Sequence, residues 1–424
     1  MWRLLSAFLV VCAVQTAAQD FTTLKGHGGP IMGLALTNDG QIVSASFDNS
    51  LGVWDDQDAR WLDGHDAAVT AVAMTATGDI VSGGDDFAVR YWGDTNRLLG
   101  RHKGKVASLS VSPDGKHVAS GSWDGDIFLW SLEDTDPIKL PYPGAGVNAV
   151  AHSWDGTRLF AATSNGVLLS YDLRTLDTPL PLVRHGFGIN RLIVGAGWIA
   201  YGAVDGGTRV LDSETGAQIA DFTLDRRPIL SMAYHQDTDQ IAVGDGQGYV
   251  MMIDSARWRI TRDFRAMRQG PVWALVFSKK GDRIYAGGLD DVVYAWPVSL
   301  LDEFDPAEGQ ARTFLRDADA MPNGERQFMR KCSICHALEE GSSRKAGPTL
   351  HGVFGRRAGT VPEYRYSNTL DGSDIVWGDE TIDALFDQGP DHYIPGSKMP
   401  MQVIAKPQDR ADLIAFLRAA TMED

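Results

Sequence analysis

Ser44-Ala45-Ser46-Phe47-Asp48-Asn49-Ser50-Leu51-Gly52-Val53-Trp54-Asp55 is echoed further along the chain by Ser120-Gly121-Ser122-Trp123-Asp124 and Leu129-Trp130. In each stretch an aspartate stands six residues before a tryptophan, with a tight turn between two apolar runs. Asp86 and Trp92, and Asp290 and Trp296, keep the same spacing. Upstream of the first three lie Gly26-His27, Gly64-His65 and Arg101-His102. Weaker units close near Tyr171-Asp172, Leu211-Asp212, Ile253-Asp254 and Ala295-Trp296. The closing positions 54, 92, 130, 171, 211, 253 and 296 fall 38 to 43 residues apart. Such a period means one supersecondary unit repeated and stacked on itself. Asn38-Asp39-Gly40, Pro113-Asp114-Gly115 and Trp154-Asp155-Gly156 mark hairpin turns between the apolar strands.

With G-H near the start and W-D at the end of the unit, residues 19–298 resemble the WD-repeat family. That resemblance implies an all-β, seven-bladed propeller with four antiparallel strands per blade. It also implies a polar network in each well-kept blade, in which histidine bonds to aspartate and to a strand serine, and the serine reaches the tryptophan indole. The matching sets are His27/Ser44/Asp48/Trp54, His65/Ser82/Asp86/Trp92 and His102/Ser120/Asp124/Trp130. These histidines are therefore structural, because buried polar groups must be paired. Blades four to six lack the full set. His152, His185 and His235 fall outside complete networks, and His185 looks like a degraded G-H histidine. The last repeat ends after its third strand near Val298. Phe21 to Lys25 is expected to supply the fourth and close the ring.

Cys332-Ser333-Ile334-Cys335-His336 carries the chemistry. Two cysteines three apart, with a histidine directly after, read as the attachment site of one covalent haem c. On a helix the two thiols share a face and can bond to both vinyl groups, while the imidazole meets the iron. A thioredoxin-like pair would open the first helix of a βαβ unit, and a zinc site needs further Cys or His at short spacing. Neither context is present. Of three cysteines in the chain, Cys12 lies in a segment expected to be removed, so no disulfide is expected.

From Asn323 onward, about 100 residues resemble an all-α class I cytochrome c of the mitochondrial type. The resemblance rests on Gly324-Glu325-Arg326-Gln327-Phe328 leading into C-S-I-C-H, on Gly347-Pro348-Thr349-Leu350-His351-Gly352 and on Trp377-Gly378-Asp379. Tyr393-Ile394-Pro395-Gly396-Ser397-Lys398-Met399 and the terminal Arg410–Leu417 segment complete it. It implies thioethers at Cys332 and Cys335, with His336 and Met399 as the two iron ligands. The Pro348 carbonyl would orient His336, while Arg356, Tyr366 and Trp377 would bond the propionates. Gly324 would let the terminal helix approach, with Phe328 and Phe416 packing across it. Met321, Met401, His351 and His392 are the rival ligands, but only Met399 sits in P-G-x-K-M. Two departures stand out. Leu385-Phe386 takes the place of the tyrosine behind the methionine, and Lys398 and Lys406 are what remains of a lysine collar.

A formal charge of −16 disfavours nucleic acid and anionic membrane surfaces as partners. Met1-Trp2-Arg3, the apolar run Leu4–Val14 and Thr16-Ala17-Ala18 read as a signal peptide over 1–18, too short to span a bilayer. Residues 299–320, acidic with Pro306 and Gly309, read as a linker to a haem domain over 321–424. The expected protein is a periplasmic electron carrier, not an enzyme, with a redox donor or acceptor and a protein partner on the propeller. The alternative is a redox enzyme whose propeller binds substrate or a second cofactor and feeds electrons to the haem.

Overall fold

The computed structural model describes residues 21–133, 136–223, 228–301, 321–341, 344–362 and 364–421. The signal-peptide segment and the linker beyond residue 301 lie outside them.

Twenty-eight strands among the described residues form seven four-stranded antiparallel sheets. Blade one shows the pattern, with Ile31–Leu36, Ile42–Ser46, Ser50–Asp55 and Asp58–Asp63 as a meander from the inner strand outward. Its second and third strands are buried almost throughout, and its outer strand alternates between half-buried and exposed. Blade seven is closed by the N-terminal strand, as expected: Thr22–Lys25 pairs antiparallel with Val292–Pro297, Thr22 opposite Ala295. First and last strands thus share one sheet, and the ring has no seam. The chain stays packed on this blade through Leu301, which is fully buried in its core.

The cores lie between blades. Ala119, Ile127 and Leu129 of blade three pack with Val147, Val150, Leu159 and Tyr171 of blade four. A single twisted sheet cannot bury both faces, so each neighbour supplies the missing half.

The polar networks fix register, and two of the three are complete. His27 Nδ1 donates to Asp48 at 2.8 Å, its Nε2 meets Ser44 Oγ at 2.7 Å, and the Trp54 indole donates to the same oxygen at 2.7 Å. His65, Asp86, Ser82 and Trp92 repeat this at 2.9, 2.7 and 2.7 Å. In blade three His102 keeps Ser120 at 2.7 Å, but Asp124 stands 3.5 Å away and His102 Nδ1 has no hydrogen-bond partner among the described residues. Asp124 instead accepts the Lys103 and Asp126 amides at 2.6 and 2.7 Å. The third network is therefore looser than its sequence implies. Conversely, blade five keeps more than expected: His185 Nε2 donates to Asp205 at 2.9 Å, and Tyr201 and Arg209 reach its Nδ1, each at 3.2 Å. Asp205 stands six residues before Leu211, a signal that a search for tryptophan passes over.

The C-terminal region contains four described helices: α1 (Asn323–Lys331), α2 (Asp379–Gln388), α3 (Pro390–Tyr393) and α4 (Pro407–Thr421). α1 and α4 cross closely at Gly324, where a Cβ would collide with the Asp412 carbonyl and Phe416. Phe328 and Phe416 pack beside the crossing with their rings tilted by 39°, centroids 5.5 Å apart. Asn323 ties the helices from the side by donating to Asp409 and Asp412 at 2.9 and 2.6 Å.

Candidate haem site

α1 ends at Lys331, so the C-S-I-C-H motif is not in the helix but in the tight turn after it. The reason is local. The Ser333 amide reaches back five residues to Phe328 O at 3.0 Å, widening the end of α1, and Cys335 N and His336 N then both bond Cys332 O at 3.0 and 2.8 Å. This turn brings Cys332, Cys335 and His336 onto one cavity wall, the result the helical reading sought by another geometry.

The cavity measures about 350 Å³, within the usual range for a small-molecule or cofactor site. All eight sequence-derived site residues line it: Cys332, Cys335, His336, Pro348, Arg356, Tyr366, Trp377 and Met399. Much of its remaining lining is apolar, with Leu350, Val353, Leu370, Ile382, Leu385, Phe386, Ile394 and Leu417. Leu385 and Phe386 thus occupy the wall where the resemblance would place a phenol.

His336 donates Nδ1–H to the Pro348 carbonyl at 2.7 Å, which fixes the tautomer and leaves the Nε2 lone pair free. Burial pushes its pKa down, against the Pro348 bond, and the nearby Lys345 and Arg356 charges add to the fall, so the imidazole is neutral. Gly347 is required beside it, since a Cβ there would strike the imidazole ring. Burial pushes the Cys332 thiol up to about 12, and the Cys335 thiol is raised for the same reason. A redox-active pair needs a lowered thiol pKa, so these sulfurs are poor candidates for disulfide exchange.

Arg356 serves the wall before it serves any ligand. Its two terminal nitrogens donate to the His351 and Thr349 carbonyls at 2.5 and 2.7 Å, clamping the loop that carries Pro348. Tyr366 accepts the Val361 amide at 3.3 Å. Two residues missed in the sequence also face the cavity. Tyr364 donates to the Ala346 carbonyl at 2.7 Å and packs edge-on against Tyr366, and their i, i+2 spacing in Y-R-Y was the available signal. Ser367 Oγ is buried at the cavity with no hydrogen-bond partner among the described residues. An orphaned hydroxyl at the end of an apolar slot calls for an acceptor from whatever fills it.

These features fit an iron porphyrin. Two thiols and a neutral, oriented imidazole stand on one wall, and the Met399 thioether and an unpaired hydroxyl face the same slot. Met399 is held through its amide, which donates to Ser397 Oγ at 3.0 Å.

Residues 322–421 match the family described as cytochrome c, and residues 19–55, 58–93, 93–131 and 259–297 match the WD domain, G-beta repeat. Cytochrome c of Sesamum indicum is 46% identical over 100 residues, covering 23% of this chain and 88% of that protein. Cytochrome c of Ginkgo biloba is 42% identical over 101 residues, 24% of this chain and 88% of that protein. Cytochrome c of Gossypium barbadense is 46% identical over 99 residues, again 23% of this chain and 87% of that protein. Through this C-terminal domain, carried behind a seven-bladed WD-repeat propeller, the chain belongs to the cytochrome c family.

Proposed function

We propose that this is an exported, periplasmic electron-transfer protein with a single covalent haem c, in which Cys332 and Cys335 hold the macrocycle and His336 and Met399 ligate the iron. The observation that carries it is the convergence of these four side chains on one apolar cavity. Bound there, the haem supplies a one-electron couple. The chain's own residues set how it is held. The Pro348 carbonyl keeps the His336 tautomer and raises its basicity, and the thioether of Met399 favours the reduced metal. The wall from Leu350 to Leu417 keeps water out, and Ser367 offers its hydroxyl to an acid group of the macrocycle. His336 and Met399 would both be spent on holding the iron, and the group would then supply electron transfer rather than bond-making chemistry.

Export is supported by the signal-like residues 1–18 and by covalent haem attachment outside the cytoplasmic membrane in bacteria. No described helix is long and apolar enough to cross a membrane.

A docking role for the propeller is supported by aromatic side chains left bare on one face. Trp123, Tyr142 and Phe187 are 59, 60 and 58% exposed, in turns on the face of blades three to five that also carries the haem domain at blades one and two. Exposed aromatics of this kind are the usual anchors of a protein partner.

Replacing Met399 tests the haem reading. Met399→Ala is expected to keep the covalent haem, lose the His/Met absorption signature and lower the potential by on the order of 100 mV, a fraction of the range axial ligands command. Survival of that signature in the variant would assign the ligand elsewhere.

A further inference from the structure

The haem cavity is not walled by the helical domain alone. Phe47, Asn49, Asp66, Ala67, Ala68 and Asp85 also line it, and all six lie in turns of blades one and two. Cations of the helical domain reach across to blade one and the turns that flank it. Arg344 pairs with Asp63 at 2.6 Å and lays its guanidinium 4.2 Å from the centre of the Trp61 ring. Lys398, adjacent to Met399, stands 3.3 Å from Asp66, and Arg365 stands 3.5 Å from the same carboxylate. Lys345 donates to the Gly28 carbonyl of blade one at 3.1 Å and to Ser333 O, within the haem-attachment motif, at 2.9 Å.

Charge complementarity of this kind sets register more than it adds strength. Each half-exposed pair contributes little, and salt weakens it within a Debye length. A cleft of about 780 Å³ of mixed lining runs between the domains beside these pairs, with Asp48, Asp63 and His65 on one side and Arg344, Arg365 and Lys398 on the other. An interface with an open cleft and half-exposed ion pairs can part.

We infer that the propeller is the haem domain's resident docking partner: its acidic turns at blades one and two complete the haem pocket and occupy the cations around it. The inference rests on the reading of the cavity as the haem c site. Its consequence is that a protein partner gains the side of the haem at Asp66–Ala68 only when the domains separate. It also gives the thinned lysine collar a role, because Lys398 is engaged within the molecule. The aromatic turns of blades three to five stay free for a partner meanwhile.

The test uses the full-length holoprotein and hydrogen–deuterium exchange of the peptides covering 364–367 and 396–400, at low and high salt. Asp66→Lys, which turns the shared carboxylate against Lys398 and Arg365, is expected to speed exchange of both peptides about fivefold at low salt. Asp66→Glu is expected to retain protection, and high salt is expected to bring the wild type toward the Asp66→Lys behaviour. Oxidation of the reduced haem by hexacyanoferrate(III), a small anion drawn to freed cations, is expected to quicken in Asp66→Lys. Unchanged exchange in an Asp66→Lys protein with native circular dichroism and intact haem absorbance would overturn the docking inference. Absence of covalent haem from the purified wild type would instead overturn the haem reading.

Discussion

His27 is buried and His336 half-buried, each with its Nδ1 hydrogen-bonded, and the difference between them separates scaffold from site. His27 spends both ring nitrogens inside the protein, on Asp48 and Ser44, and the circuit closes at Trp54. Burial alone would raise the pKa of Asp48, but the His27 hydrogen bond and charge, with Ser50 and the Gly28 amide, hold it below the ordinary carboxylate range. His336 spends one nitrogen, on a backbone carbonyl, and turns the other to an apolar cavity beside two thiols and a thioether. A closed circuit stabilises a fold. An oriented imidazole with a free lone pair is a ligand in waiting.

His336→Ala is the hardest test of that contrast. It is expected to abolish the low-spin haem spectrum in the purified protein while leaving the propeller's far-ultraviolet circular dichroism unchanged. A variant with the wild-type spectrum would mean that another residue supplies the proximal ligand. His27→Ala should do the opposite, sparing the haem spectrum and destabilising the propeller by about 4 kcal/mol, because it strands a buried carboxylate. His102→Ala is the internal control. Its aspartate is already detached at 3.5 Å and satisfied by backbone amides, so the loss should be nearer 2 kcal/mol. Equal losses in urea unfolding would show that the three blades share one network geometry after all.

Much of both regions was legible in the sequence because each is written in local spacing. The six-residue step from Asp48 to Trp54 and the five residues from Cys332 to His336 specify side chains that meet within a turn or a hairpin. Closure by Phe21–Lys25 was legible too, since a three-stranded last repeat and an unassigned first strand fit each other. What escaped was set by geometry between elements. The detachment of Asp124 depends on which amides its turn presents. The end of α1 before Cys332 depends on the Ser333 amide choosing Phe328 over the next carbonyl. The propeller turns on the haem cavity join Asp66 to Lys398, residues 332 positions apart, and no local pattern encodes that.

His152 occupies the middle ground between the two kinds of histidine and gives the smallest effect. It is buried where blades three and four meet. Nδ1 lies 3.0 Å from Ser110 Oγ, and Nε2 is buried without a hydrogen-bond partner among the described residues. Burial pushes its pKa down to about 4, against the attraction of Asp114. The folded value lies below the unfolded one, so the unfolded chain binds the proton first as pH falls. The neutral histidine's contribution is therefore complete above the unfolded value of 6.5 and is lost as pH falls toward the folded value. Between about pH 7.5 and about pH 5 this linkage should cost the propeller about 2 kcal/mol. His152→Gln keeps a polar side chain without a titrating group, and its urea midpoint should depend less on pH by that amount. An unaltered pH dependence in the variant would mean that His152 carries its proton in the folded blade at pH 5, and that its unbonded nitrogen finds an acceptor there.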